Sequence, residues 1–242
     1  MYYPGLHHAL KWRYNSPMDD PCATYRTIKQ AIDEHTASAG RPAGSVNLLA
    51  VSKRQSVGAI RTLAKCGQKS FGENYLQEAK EKIQALKDLS LSWHFIGPLQ
   101  SNKAAEVAQL FDWVHTVDRE KIARRLNAAR AANDAPLNVC IQVNISGEKS
   151  KNGIQPADLA EFAASIRDFA NLRLLGLMAL PAPQAELDKQ RQAFRELRNL
   201  YIETFGPAVD TLSIGTSQDY AAAILEGATI IRIGTALFGP RQ

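Results

Sequence analysis

The chain has 242 residues, 45% of them hydrophobic and 22% charged, and a formal net charge of +5. No apolar run is long enough to cross a bilayer, and the lysines and arginines are interleaved with acidic residues, so neither a membrane protein nor a dedicated nucleic-acid binder is expected. Cys22, Cys66 and Cys140 are too few and too scattered for a disulfide framework or a zinc site, which points to a reducing cytoplasm.

The first 17 residues, MYYPGLHHALKWRYNSP, mix aromatic and basic residues without the apolar stretch of a secretory signal. They are expected to be a poorly ordered extension, with Met18 fitting an initiator and the folded domain occupying 18–242. From residue 20 onward, helical and extended patterns alternate. TYRTIKQAIDEHTASAG reads as an amphipathic helix ended by Gly40. Extended runs follow at SVNLLAVS (45–52), KSFGE (69–73), SWHFIG (92–97) and DWVHTV (112–117). Four more stand at NVCIQVNI (138–145), LRLLGLMAL (172–180), TLSIGT (211–216) and IIRIG (230–234). Between them lie helical runs with apolar residues three and four apart, including 57–63, 75–86, 122–126 and 187–202.

Eight such units predict an α/β protein, a single (β/α)8 barrel of the TIM type, rather than an open doubly wound sheet. Only eight residues follow Gly234, too few for a closing helix, so the helix near 22–38 is expected to complete the ring.

In such barrels the site gathers at the C-terminal ends of the strands. There the chain offers Lys53, Asn74, the turn Gly215-Thr216-Ser217, and Arg232, Gly234 and Thr235. Lys53 reads either as a strand end meeting water or as a desolvated amine, a better nucleophile toward aldehydes. Ser213, Gly215, Thr216 and Ser217, ahead of a helix starting near Asp219, read either as an anion site or as a capped turn with Ser217 or Asp219 as N-cap. Arg232 lies inside an apolar strand and requires a partner in the lumen or at the mouth. Gly234-Thr235 adds a second loop of backbone donors where barrels commonly bind phosphate. His94 reads as a core histidine more readily than as a site group, and Ser101 or Asn102 as the cap of the following helix. Arg124, Arg125 and Arg130 fit a partner surface or a solvated helix face. An amine, an anion cradle and an arginine at one mouth match the aldehyde, phosphate and ring nitrogen of pyridoxal 5′-phosphate (PLP).

The motifs LLAVSK, FGENYLQEAKEKI, WHFIGPLQSNK, VHTVDR, QVNISGEKSKNGI, LRLLGLMALPAP and RIGTALFG resemble the pyridoxal phosphate homeostasis proteins, from about Met18 to the C-terminus. The resemblance implies a PLP-binding barrel similar to the N-terminal domain of alanine racemase. It implies that Lys53 forms the Schiff base with PLP, that Ser217 and the backbone of Gly234 and Thr235 hold the phosphate, and that Arg232 faces the pyridine nitrogen. Asn74 is counted with them among the cofactor-binding residues. Where that family usually has methionine in S-x-G-M-S-x-D, this chain has Thr216.

An arginine at the ring nitrogen disfavours the pyridinium that best stabilises a substrate carbanion. The additional domain that supplies the second base in alanine racemases is expected to be absent, and nothing in the sequence supports Tyr75 or Tyr220 in its place. The expectation is a cytoplasmic, monomeric PLP carrier and buffer that serves apo-enzymes and is not itself an enzyme. The alternatives are a minor amino-acid racemase and a PLP-free sugar-phosphate enzyme.

Overall fold

A computed structural model describes residues 20–130, 134–148, 151–207 and 210–239. The extension expected over 1–17 lies outside the described residues.

Eight parallel strands close into one barrel, each beside its neighbour in sequence and β8 beside β1. They are β1 (Asn47–Val51), β2 (Ser70–Glu73), β3 (Ser92–Phe95), β4 (Trp113–Val117), β5 (Leu137–Gln142), β6 (Leu172–Met178), β7 (Thr211–Ser213) and β8 (Ile230–Ile233). These are the eight runs the sequence predicts. Most are apolar along most of their length because each faces the lumen on one side and the helical layer on the other. The fifth and seventh runs stop earlier than expected, at Gln142 and Ser213, where the chain leaves the ladder to build the mouth.

The helices are α1 (Pro21–Ser38), α2 (Val57–Lys65), α3 (Leu76–Ala85), α4 (Ala104–Leu110), α5 (Glu120–Ala129), α6 (Leu159–Arg167), α7 (Leu187–Phe205), α8 (Tyr220–Leu225) and α9 (Thr235–Phe238). Asp20 caps α1 by accepting from Cys22 N at 2.8 Å, with Pro21 in the first turn. This helix packs against α2, α8 and α9, filling the gap in the ring as expected. The single turn α9 after β8 was not foreseen. A 3-10 turn at Ser101–Lys103 precedes α4, and neither Ser101 nor Asn102 makes the expected side-chain cap.

Between strands and helices lies the main apolar layer, with Phe71, Phe111, Phe194, Ile60, Ile122 and Leu126 fully buried. Each such side chain contributes about 1.5–3 kcal/mol relative to exposure. The arginines of α5 are used within the chain: Arg130 Nη1 donates to Ala108 O at 2.6 Å, Arg125 Nη1 to Ser101 O at 2.6 Å, and Arg124 pairs with Glu120.

The lumen is partly polar. His94 Nδ1 and His115 Nε2 share a hydrogen bond of 2.9 Å, and His115 Nδ1 lies 2.8 Å from Ser213 Oγ. Burial lowers His94 to about 3, and lowers His115 well below its ordinary value with help from the neighbouring His94 and Arg232 charges. Both are therefore neutral core histidines, the role favoured for His94.

The cysteine reading is corrected. Cys22 at the start of α1 and Cys66 at the end of α2 form a disulfide, with Cα atoms 5.2 Å apart, while Cys140 is free and buried. Their sequence separation of 44 residues carries no pairing signal; the two helix ends meet because α1 packs beside α2.

Two predictions follow from this architecture. An unfolded histidine binds a proton near pH 6.5 while the folded pair stays neutral, so stability falls as pH drops below 6.5. The parent's unfolding free energy should decline with acid more steeply than that of H94Q or H115Q, by about 1.4 kcal/mol per pH unit per histidine. Denaturant melts at pH 7, 6 and 5 measure the difference; equal slopes would contradict neutral burial. Secondly, peptide mapping without reductant should link Cys22 to Cys66, and reduction should lower stability by about 4 kcal/mol or less.

Candidate functional site

The mouth at the C-terminal strand ends holds a cavity of about 270 Å³ lined by Lys53, Asn74, Ser217, Arg232, Gly234 and Thr235. The six residues expected to bind the cofactor therefore line one pocket. Val51, Ile96, Met178 and Leu180 form its apolar walls.

Lys53 follows β1 in a tight turn in which Gln55 N donates to Ser52 O at 3.0 Å. It is half-buried and lines the pocket.

Arg232, on β8, is buried in the lumen and finds the partner the sequence required. Nη1 donates to Ser213 O, in a short contact, and to Ser213 Oγ at 2.8 Å; Nη2 donates to Ala179 O at 2.9 Å. These three bonds leave two of its five N–H groups for a ligand in the pocket. Burial lowers the guanidinium to about 10, against an opposing pull from Asp219, so it keeps its charge at neutral pH.

The turn after β7 supplies donors. Gly215 takes φ +89°, and a Cβ there would lie 2.6 Å from Ala223 Cβ, so glycine alone lets the turn close onto α8. Asp219 sits at the N-cap position of α8, but its carboxylate turns back to accept from Thr216 N at 2.6 Å and Thr216 Oγ1 at 2.9 Å. The unusual Thr216 thus adds a bond that closes the turn. The N–H groups of Ser217 and Gln218 meet no acceptor among the described residues and stand on the pocket wall. The chain entering α9 brings Gly234 and Thr235 to the same wall.

Asn74 follows β2. At Gly97 a Cβ would come within 2.1 Å of Asn74 O, so the bare glycine allows the two strand ends to touch. Asn74 Oδ1 is buried without a hydrogen bond among the described residues, a polar atom left for a pocket ligand. A second cavity of about 320 Å³ adjoins this one, sharing Asn74, Ile96, Met178 and Leu180 and extending to Asn144 and Lys151. Tyr75 is 49% exposed at the start of α3, and Tyr220 is buried beside His35. Neither lines the Lys53 pocket.

Sequence reasoning missed Ser213 as the anchor of Arg232, and it missed Lys82. The signal for Lys82 was its place on the inward face of α3, after Leu76 and Ala79 at three-residue spacing, where an apolar residue is expected.

Residues 28–242 match the family model described as alanine racemase, N-terminal domain. The chain is 54% identical over 215 residues to the pyridoxal phosphate homeostasis protein of Pseudomonas aeruginosa, covering 89% of this chain and 93% of that one. It is 47% identical over 230 residues to the protein of the same name from Escherichia coli K12, covering 93% and 98%. The solved structure of PipY from Synechococcus elongatus with PLP bound superposes with a TM-score of 0.74 at 35% identity, covering 86% of this chain and all of that one. With a barrel, a mouth and relatives in agreement over most of its length, the chain belongs to the pyridoxal phosphate homeostasis protein family, within the alanine racemase N-terminal domain fold.

Proposed function

We propose that this protein binds PLP reversibly at the Lys53 pocket and serves PLP homeostasis, buffering the cofactor and handing it to apo-enzymes. The observation that carries the reading is the convergence of one lysine, one buried arginine and two loops of backbone donors on a single cavity. PLP supplies, when bound, an aldehyde that condenses reversibly with a primary amine with loss of water.

In this reading Lys53 provides the amine. Ser217, with the N–H groups of Gly234 and Thr235, binds the phosphate where α8 and α9 begin, and Asn74 contacts the ring. Arg232 donates to the ring nitrogen through an N–H not engaged by Ser213 or Ala179. A guanidinium there keeps that nitrogen an acceptor, which suits holding the cofactor more than stabilising a carbanion. The racemase alternative needs an acid–base group on the second face of a substrate. The positions of Tyr75 and Tyr220 away from the pocket lend it no support.

We further propose a monomer acting in the cytoplasm. Among the described residues, no helix is long and apolar enough to cross a membrane.

The test is an absorbance spectrum of the purified protein with PLP, before and after borohydride, with mass mapping of the reduced lysine. A yellow protein whose adduct maps to Lys53 is expected; a colourless protein, or label scattered over surface lysines, would overturn the assignment. Ser217→Ala should weaken PLP binding about tenfold, the loss of one hydrogen bond to a charged phosphate, while leaving the site of labelling at Lys53.

A further inference from the structure

Lys53 occupies a turn whose backbone bond, Gln55 N to Ser52 O, is supplemented from outside. The next residue, Arg54, takes φ +59°, in the left-handed region. A side chain there costs about 1 kcal/mol or more. The side chains that brace this turn come from the end of β2 and from helix α3.

Lys82 points inward from α3 and donates to Ser52 O at 2.7 Å, to Glu73 Oε1 at 2.8 Å and to Glu78 Oε1 at 2.5 Å. Glu73 Oε1 also accepts the Ser52 hydroxyl at 2.6 Å. Glu78 Oε1 accepts the Arg54 backbone N–H in a short contact. The carbonyl before Lys53 therefore ends on Lys82 and the N–H after it on Glu78, two members of one charged cluster that Glu73 completes. The Lys82 and Glu73 side chains are 5% and 0% exposed, so this is a core ion pair and not a solvated surface contact.

Stability alone explains the cluster poorly. An apolar pair of similar volume in that shell is commonly neutral or more stable, because two buried charges lose their hydration. Burial raises the Glu73 carboxyl despite the bonds from Lys82 and Ser52, and its Oε2 has no hydrogen bond among the described residues. What an ion pair offers and an apolar pair does not is direction. Charge-assisted bonds of this length fix the peptide groups they reach.

We propose that Glu73, Lys82 and Glu78 are positioning residues for Lys53, holding the two flanking peptide groups so that the amine is aimed into the cofactor pocket. None of the three lines that pocket. They act through the backbone, so they govern how fast Lys53 engages an aldehyde and not how tightly the far wall holds a phosphate. This inference rests on the PLP reading above, and the experiment separates the two.

The double variant Glu73→Gln/Lys82→Met removes both buried charges at nearly constant volume and avoids stranding one of them. Two ligands are compared: PLP, trapped at Lys53 by borohydride, and 4-deoxypyridoxine 5′-phosphate, which has the ring and phosphate but no aldehyde. The expected result is parental affinity for the deoxy analogue with trapping at Lys53 slowed about tenfold or more, the scale of a misplaced reacting group. Trapping at the parental rate overturns the proposal. So does a proportionate loss of both ligands, which marks a merely structural role. Should the double variant fail to fold, Glu78→Ala keeps the Glu73–Lys82 pair and removes the carboxylate that the Arg54 N–H and Lys82 share. It should slow trapping severalfold with analogue affinity unchanged, and a parental rate there overturns the proposal equally. If the parent itself is not labelled at Lys53, the PLP assignment fails, a result distinct from any variant's.

Discussion

Arg232 brings a permanent positive charge into the lumen of a closed barrel, where an unpartnered ion would cost several kcal/mol. The fold meets that demand with two carbonyl oxygens and one hydroxyl, from Ser213 and Ala179, and with no carboxylate in direct contact among the described residues. The bonds orient the guanidinium without neutralising it. Much else in the lumen follows. Ser213 Oγ accepts from Arg232 and lies 2.8 Å from His115 Nδ1, His115 Nε2 shares a bond with His94 Nδ1, and His94 Nε2 reaches Ser92 Oγ at 3.2 Å, so one hydrogen-bonded chain runs from the arginine across the lumen.

The uncompensated charge also decides what the mouth suits. Arginine and the loop donors of Ser217 and Gln218 favour an anionic ligand, and the same arginine opposes protonation of a ring nitrogen beside it. Barrel closure makes the combination possible: β8 pairs with β1, so Arg232 and Gly234 at one end of the chain stand beside the Lys53 turn near the other. An open sheet in this strand order would leave them at opposite edges.

Much of this was legible in the sequence, and the reasons are specific. Eight apolar runs separated by helical periodicity identify a barrel because parallel strands covered on both faces admit few polar residues. Arg232 announced itself as a charge inside such a run. The pocket residues were found because small and hydroxyl side chains break the apolar pattern where strands end. What stayed hidden was pairing at long range. Cys22 with Cys66, Ser213 with Arg232, and Lys82 with the Ser52 carbonyl each join residues 19 to 44 positions apart that meet only once neighbouring units pack. Local cues also misled at Ser101 and Asn102, which have the chemistry of a cap but precede a 3-10 turn, and at Asp219, whose carboxylate serves Thr216 instead of the helix it precedes.

The central claim is that Arg232 keeps the bound cofactor's ring nitrogen unprotonated, so that this barrel holds PLP without readying it for carbanion chemistry. Its most direct test is the nitrogen-15 chemical shift of ring-labelled PLP bound to the protein near neutral pH. The account predicts the shift of an unprotonated, hydrogen-bonded pyridine, moving toward the protonated form when Arg232 is replaced by glutamate. A pyridinium shift in the unmodified protein would contradict it.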